Sequence, residues 1–191
     1  IPDGFSNAVK KLKFVSMGVN SNAPVKGSVF MDRFLLVKGF VKKIFKLGFE
    51  RVGFVIEKFA DKYEDGKFSG GFLLAQLDSG KRNIIPPHYW GKSDLKNAEG
   101  LSAYVRQYRL DALFCYSTDI SDIISKNPPL GAKIFHYDER FAEKHTPQIS
   151  NQKQVGKETI KILSDMLSSH DGEICSPKQF SLTPEWSRKN T

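Results

Sequence analysis

Cysteine is scarce in this sequence. Cys115 and Cys175 are the only two among 191 residues, and they form neither a CxxC pair nor a disulfide framework. Their scarcity excludes a disulfide-stapled secreted scaffold and a thiolate zinc cluster, and it favours a reducing compartment.

Long hydrophobic runs are also missing. No uninterrupted apolar stretch approaches the roughly 20 residues of a membrane helix, and no basic segment followed by an apolar one forms a leader at the start. The sequence therefore predicts that the protein does not contact a membrane. It also predicts a location in the bacterial cytoplasm. Because it begins Ile1-Pro2 without Met, either a leader has been removed or the chain is a piece of a longer protein, and we favour the piece.

Motifs of common catalytic chemistry are absent as well. The sequence contains no G-x-S-x-G elbow, no Walker phosphate loop and no strand-linked G-x-G-x-x-G. The glycines of 66–71 could approach a phosphate, but they more simply let a helix start and pack closely on a sheet. His136, Asp138 and His145 match no standard metal spacing, so hydrogen bonding explains them better. We therefore expect no enzyme activity, no metal and no cofactor.

Positive charge is present in excess, with a formal net charge of +8. Clustered Lys and Arg side chains would indicate nucleic-acid binding, since they release counterions from phosphates. The lysines here are scattered, however, and Lys38, Lys42 and Lys46 fit the solvated face of an amphipathic helix. Charge alone therefore predicts no nucleic-acid site within this chain.

The clearest structural signal is a helix that ends near residue 48 and is followed by a buried strand. Apolar residues recur at helical spacing before it, with Asp32 placed as N-cap and Gly48 as the residue after the helix. The run 52–56 is apolar without alternation, as in a parallel strand that is covered on both faces. This junction predicts an α/β protein.

The remaining pattern alternates between strands and helices. We predict strands at 12–19, 112–116 and 132–137, and helices at 63–77, 93–108, 119–125 and 155–168. The residues between 19 and 32 are predicted as a loop. The last helix has an apolar side made of Val155, Ile160, Leu163, Met166 and Leu167. This alternation is typical of a mostly parallel sheet with right-handed crossovers, whose ligands bind beyond the carboxyl ends of the strands.

Polar residues follow two predicted strands at those ends. Ser117, Thr118 and Asp119 follow one strand, and Asp138 follows another. Carboxylates beside aromatic rings there could accept hydrogen bonds from sugar hydroxyls, while the rings cover apolar ring faces. Alternatively, Asp119 and Asp138 cap the segments that follow them.

Several motifs in order resemble the effector-binding region of LacI/GalR-type transcriptional regulators. They include 30–32, 47–54, 70–72, 111–115, 136–139, 146–149, 155–158 and 182–191. The resemblance implies a periplasmic-binding-protein-like (type I) three-layer α/β fold with a parallel sheet, mainly the carboxyl lobe. It assigns 28–148 plus 179–191 to that lobe, and 1–27 and 149–178 to remnants of the amino lobe.

The resemblance also implies ligand-binding residues. Asp138 matches the family's strand-end acid. Where the family commonly has Arg, three residues before the Gly-Phe pair, this sequence has Phe68, so Lys67 is the nearest cation. Further candidates are Tyr116, Ser117, Thr118 and Asp119 after one strand, and Gln152 at the last crossing between lobes.

The implied function is the sensing of a small-molecule effector, a sugar, by a bacterial transcriptional repressor. DNA would be bound only through a helix-turn-helix head of the parent protein, and a homodimer is the implied assembly. One alternative is a solute-binding protein of a sugar transporter, which a signal peptide upstream of Ile1 would indicate. Another is a small α/β enzyme that binds a phosphorylated substrate through 66–71.

Overall fold

The computed structural model describes residues 15–17, 27–90, 98–117, 120, 124, 131–136, 152–168 and 178–182. In chain order its elements are β1 (Val15–Met17), β2 (Gly27–Met31), α1 (Arg33–Lys46), β3 (Val52–Glu57), α2 (Lys58–Tyr63), α3 (Lys67–Asp78), β4 (His88–Trp90), α4 (Ala98–Tyr108), β5 (Ala112–Cys115), β6 (Lys133–His136), α5 (Gln152–Ser168) and β7 (Lys178–Leu182). They divide between two compact units, Ile1–Asp32 with Ile149–Lys189 and Arg33–Gln148 with Asn190–Thr191.

The first unit contains a parallel sheet in the order β1-β2-β7. Among its described residues, Val29 of β2 packs with Ile162 and Met166 of α5, and Val15 and Val155 cover them in part. This unit corrects the predicted apolar side of α5. Ile162 is buried, whereas Ile160 and Leu167 are 70% and 65% exposed, because the sheet meets the helix along a different line.

The second unit contains a parallel sheet in the order β4-β3-β5-β6. On one face, α1 and α3 close over stacked aromatic rings. The Phe114 ring lies 4.3 Å from that of Phe40 and 5.1 Å from that of Phe54, and the Phe54 ring lies 5.3 Å from that of Phe72. This face confirms the apolar helix before residue 48 and the doubly covered strand after it.

The opposite face of this sheet packs against α4. A side chain at Gly53 would overlap Leu110 and Tyr104, so the absence of a Cβ lets α4 lie close to β3. The Tyr104 hydroxyl accepts a hydrogen bond from the Phe54 amide at 3.3 Å and donates one to the Pro86 carbonyl at 2.7 Å. The Tyr104 hydroxyl thus links the backbone of β3 to the backbone just before β4.

The structure differs from the predicted elements at β2, at the helix predicted over 63–77 and at β4, a short strand that was not predicted. Strand β2 falls where a loop was expected, and pairing with β1 and β7 accounts for it. The helix predicted over 63–77 begins at Lys67 instead, because Asp65 and Gly66 have φ values of 54° and 72° and separate it from α2, which ends at Tyr63. Within 98–117 and 131–136, helix α4 and strands β5 and β6 confirm the predictions there.

The division into units also differs from the predicted segments. Residues 33–148 lie in one unit, whereas β2 and β7 form one sheet with β1 in the other. The assignment of these units to the carboxyl and amino lobes stays a prediction.

Candidate functional site

The candidate site lies where β3, β4 and β5 end, which we call the carboxyl edge. Strand β3 lies between β4 and β5, and the chain crosses one face of the sheet to reach β4 and the other to reach β5. The carboxyl ends on either side of such a reversal form the usual ligand-binding crevice of a parallel sheet. The polar and aromatic side chains at this edge are therefore the candidate ligand contacts.

The first turn of α3 is held against α1 at this edge. A Cβ at Gly71 would overlap the carbonyl oxygen of Phe34, so glycine is needed for the close approach of the two helices. Gly66, with φ 72°, precedes the first residue of α3. Gly66 thus permits the start of α3, as predicted, whereas Gly71 packs on α1 and not on the sheet.

Tyr116 lies beside this turn, directly after β5. Its ring centroid is 4.4 Å from that of Phe68, and its amide donates to the Val55 carbonyl at 3.2 Å. Phe68 is buried, while Tyr116 and Ser117 are half-buried. The half-buried Tyr116 ring therefore has one side on the core and retains accessible surface.

Charged side chains surround the same turn. The Lys67 ammonium lies 3.8 Å from one oxygen of Glu64, and the Arg33 Nε lies 3.7 Å from the other. Glu64 is buried, so its carboxylate requires these cations as partners. Lys67 keeps 36% of its side chain exposed and can still meet a ligand oxygen with its remaining donors.

A second buried carboxylate, Asp61, joins α2, α3 and β4. It accepts a hydrogen bond from the Ser69 amide at 3.0 Å and another from the Tyr89 hydroxyl at 2.9 Å. Desolvation first, and then this bond to Asp61, hold the pKa of Tyr89 above its usual value, so the phenol is a donor at neutral pH. Asp61 thereby fixes the orientation of a side chain that is 41% exposed.

The predicted site residues are only partly described. Lys67, Tyr116 and Ser117 lie together at the carboxyl edge. Gln152 is the first residue of α5, in the other unit. Asp119, Thr118 and Asp138 lie outside the described residues.

Sequence reasoning missed Asp61 and Tyr89. They are 28 positions apart and meet only through tertiary packing. The one available signal was the aromatic run His88-Tyr89-Trp90 directly after two prolines, which marks a short strand but not its partner.

Two observations bear on metal and thiol chemistry in the part of the chain that is described. No group of His, Cys, Asp and Glu residues there is arranged to hold a metal ion. Burial raises the pKa of Cys115 to about 12, so its thiol is protonated at neutral pH and is a poor nucleophile.

No known family model and no curated protein matches the sequence. Solved structures do match its fold. A LacI family transcriptional regulator from Silicibacter pomeroyi is 17% identical with a TM-score of 0.63, over 95% of this chain and 69% of that chain. One from Enterococcus faecium with bound ribose is 14% identical with a TM-score of 0.63, over 98% and 74%. The cellobiose complex of the regulator CelR is 17% identical with a TM-score of 0.63, over 88% and 55%.

These similarities confirm the predicted fold class. The chain has the periplasmic-binding-protein-like α/β fold of LacI-type transcriptional regulators, and the resemblance stated from its motifs holds at the level of fold. Over the same described residues, no helix is both long and apolar enough to cross a bilayer.

Proposed function

We propose that this chain is the effector-binding region of a bacterial LacI-type transcriptional regulator and that its effector is a sugar. The observation that carries the proposal is the fold, which matches regulators of this class over 88–98% of the chain. Two of those regulators have names that include a sugar, ribose in one and cellobiose in the other. The matched structures are named as regulators, which supports a sensing role rather than an enzymatic one.

The carboxyl edge supplies suitable chemistry for a sugar. Lys67 offers ammonium donors to hydroxyl oxygens, the Ser117 hydroxyl donates and accepts, and the Tyr116 ring can cover an apolar face. In the proposal Asp138, Asp119 and Thr118 supply further hydrogen bonds, and the role of Gln152 stays a prediction of the family resemblance. Carboxylates are apt acceptors for sugar hydroxyls because they accept on both oxygens.

Regulation then follows from differential binding. A sugar that favours one conformation of the chain shifts the population toward it, and a helix-turn-helix head elsewhere in the parent protein senses the change. The proposal includes a cytoplasmic location and a homodimer. Light scattering over a concentration series tests the dimer, and a constant monomer mass would contradict it.

Calorimetric titration of the 191-residue chain with a panel of sugars that includes ribose and cellobiose tests the function. We expect one sugar to bind, and Lys67→Gln to weaken its binding about tenfold, equivalent to about 1.4 kcal/mol. Lys62→Gln is the matched control, because Lys62 is an exposed lysine of neighbouring α2. Absence of binding by every sugar would refute a sugar effector.

The predicted strand-end acid has its own test. Asp138→Asn removes the carboxylate and retains the size of the side chain, so we expect the sugar response to be lost while the unfolding midpoint stays the same. An unchanged affinity would remove Asp138 from the site and leave the sugar-binding proposal to be judged on Lys67.

A further inference from the structure

We propose that Tyr89 is a second aromatic contact for the sugar at the carboxyl edge and that Asp61 is the residue that positions it. The inference rests on the proposed function and adds a specificity-determining residue to the same site. It starts from a half-exposed ring whose hydroxyl is tied to a buried carboxylate.

The strand register places Tyr89 level with Tyr116. His88 and Cys115 both pair with Val55 of the central strand, from opposite sides, so the next residues are Tyr89 and Tyr116, with Ile56 between them. Two spacings between strands separate their backbones by about 10 Å. Both side chains lie on the face covered by α3, where Tyr116 contacts Phe68 and Tyr89 reaches the carboxylate that caps Ser69. The two rings therefore flank the first turn of α3.

The link to Asp61 makes Tyr89 suited to stacking. Asp61 is itself held by the Ser69 amide, so the carboxylate cannot follow the phenol if the ring swings away. A ring that is already fixed loses little conformational entropy when a ligand covers it, which is the advantage of a preorganised site. Its edge carries no charge, and its exposed face fits the apolar face of a pyranose or furanose.

Exposure alone does not distinguish Tyr89 from other surface rings. Tyr63 is more exposed, at 61%, and its ring stacks on Phe59 of the same helix. Two features therefore distinguish Tyr89: its hydroxyl is hydrogen-bonded to Asp61, and the strand register places it level with Tyr116. Tyr63 serves as a matched control for ring loss.

The test is calorimetry of the full chain with the same sugar panel. For the sugar that the wild type binds, we expect Tyr89→Ala to weaken affinity about tenfold. Tyr89→Phe keeps the ring but loses the hydrogen bond to Asp61. We expect its affinity for the sugar to lie between that of the wild type and that of Tyr89→Ala. Tyr63→Ala should bind as the wild type does.

A second measurement reports positioning without any sugar. In Asp61→Asn the side-chain oxygen still accepts from the Ser69 amide, so the fold is retained, but the charge near the phenol is lost. An NMR titration of ring-labelled tyrosine should then give a lower pKa for Tyr89 than in the wild type.

The outcomes separate the two proposals. Wild-type affinity in Tyr89→Ala, together with weakened binding in Lys67→Gln, would overturn the role of Tyr89 and leave the proposed function standing. No binding of any sugar by the wild type would overturn both. An unchanged Tyr89 pKa in Asp61→Asn would overturn the positioning role of Asp61.

Discussion

The two units differ in what fills their interiors. In the second unit, Phe40, Phe54, Phe72 and Phe114 form a stacked aromatic layer between the sheet and two helices. In the first unit, the described core consists of Val29, Ile162 and Met166 with partial cover. Buried apolar area is the main source of stability. The candidate site is therefore built on the unit that contains the stacked aromatic layer, whose side chains can be held in fixed positions.

The largest test of this contrast removes an aromatic ring. Phe114→Ala should destabilise the second unit by about 3–5 kcal/mol, because both the transfer energy of the ring and the cavity that it leaves count against the fold. The counterpart in the first unit is Met166→Ala, for which we expect a loss of about 2 kcal/mol, since the flexible Met side chain leaves a smaller cavity than a phenyl ring.

Urea unfolding followed by amide hydrogen exchange measures the two effects separately. Exchange in β3 and β5 should accelerate in Phe114→Ala, and exchange in β2 in Met166→Ala. If the two variants lose the same free energy of unfolding, the two cores do not differ in their contribution to stability.

Two glycines sharpen the comparison further. Gly71→Ala should cost about 1–3 kcal/mol, because the new Cβ overlaps the backbone oxygen of Phe34, which cannot move aside as a side chain can. Gly156 of α5 has open space around its Cβ position, so Gly156→Ala should stabilise the chain by up to about 1 kcal/mol. Thermal unfolding of the pair checks both signs, and the same sign in both would contradict this account of helix packing.

A hydroxyl gives the next effect in size. Tyr104→Phe leaves the Phe54 amide and the Pro86 carbonyl without their shared partner, so we expect a loss of about 1–3 kcal/mol. Tyr108→Phe is the control, since Tyr108 touches the Tyr104 ring at the half-buried edge of the same helix. If the midpoints of the two variants in urea agree, the bridge contributes nothing to the stability of the second unit.

The smallest effect concerns a surface ion pair that joins α1 to α3. Asp78 contacts Lys42 at 2.7 Å and Lys38 at 2.9 Å, and the hydrogen bond from Lys42 is the main cause of its lowered pKa. Because the folded pKa lies below the ordinary 3.8, the contribution is present above that pH and is lost as the pH falls through the folded value.

The wild type should therefore be more stable to unfolding than Asp78→Asn at neutral pH, and this stability difference should narrow below pH 3.8. Added salt should also reduce the stability difference at neutral pH. Urea midpoints between pH 2.5 and 6 measure it. A difference that grows on acidification would reverse the assigned sign.

The sequence predicted local structure well where one segment contains its own signal. The helix ending at Gly48 and the apolar run after it are visible without any partner. Strand β2 was not predicted, because its pairing with β7 joins residues about 150 positions apart. The loop-forming residues before it also make the segment look like part of an extended connection. The periodicity of α5 predicted an apolar side, yet the partner sheet decides which apolar residues are covered, and Ile160 is not among them.

The site was predicted in the same uneven way. The rule that ligands bind beyond the carboxyl ends of parallel strands selected Tyr116 and Ser117 as candidates, and their binding role stays a prediction. Lys67 came from the family resemblance. Asp61 and Tyr89 could not be found, since a carboxylate that caps one helix and holds a tyrosine from a distant strand leaves no local pattern.

The paired prolines before β4 have one more consequence. Strand β4 is an outer strand of its sheet, with only three residues. Pro86 and Pro87 lack N–H groups, so an incoming strand from another molecule finds no donors there and cannot lengthen the ladder. These residues therefore protect an open sheet margin from strand addition and aggregation.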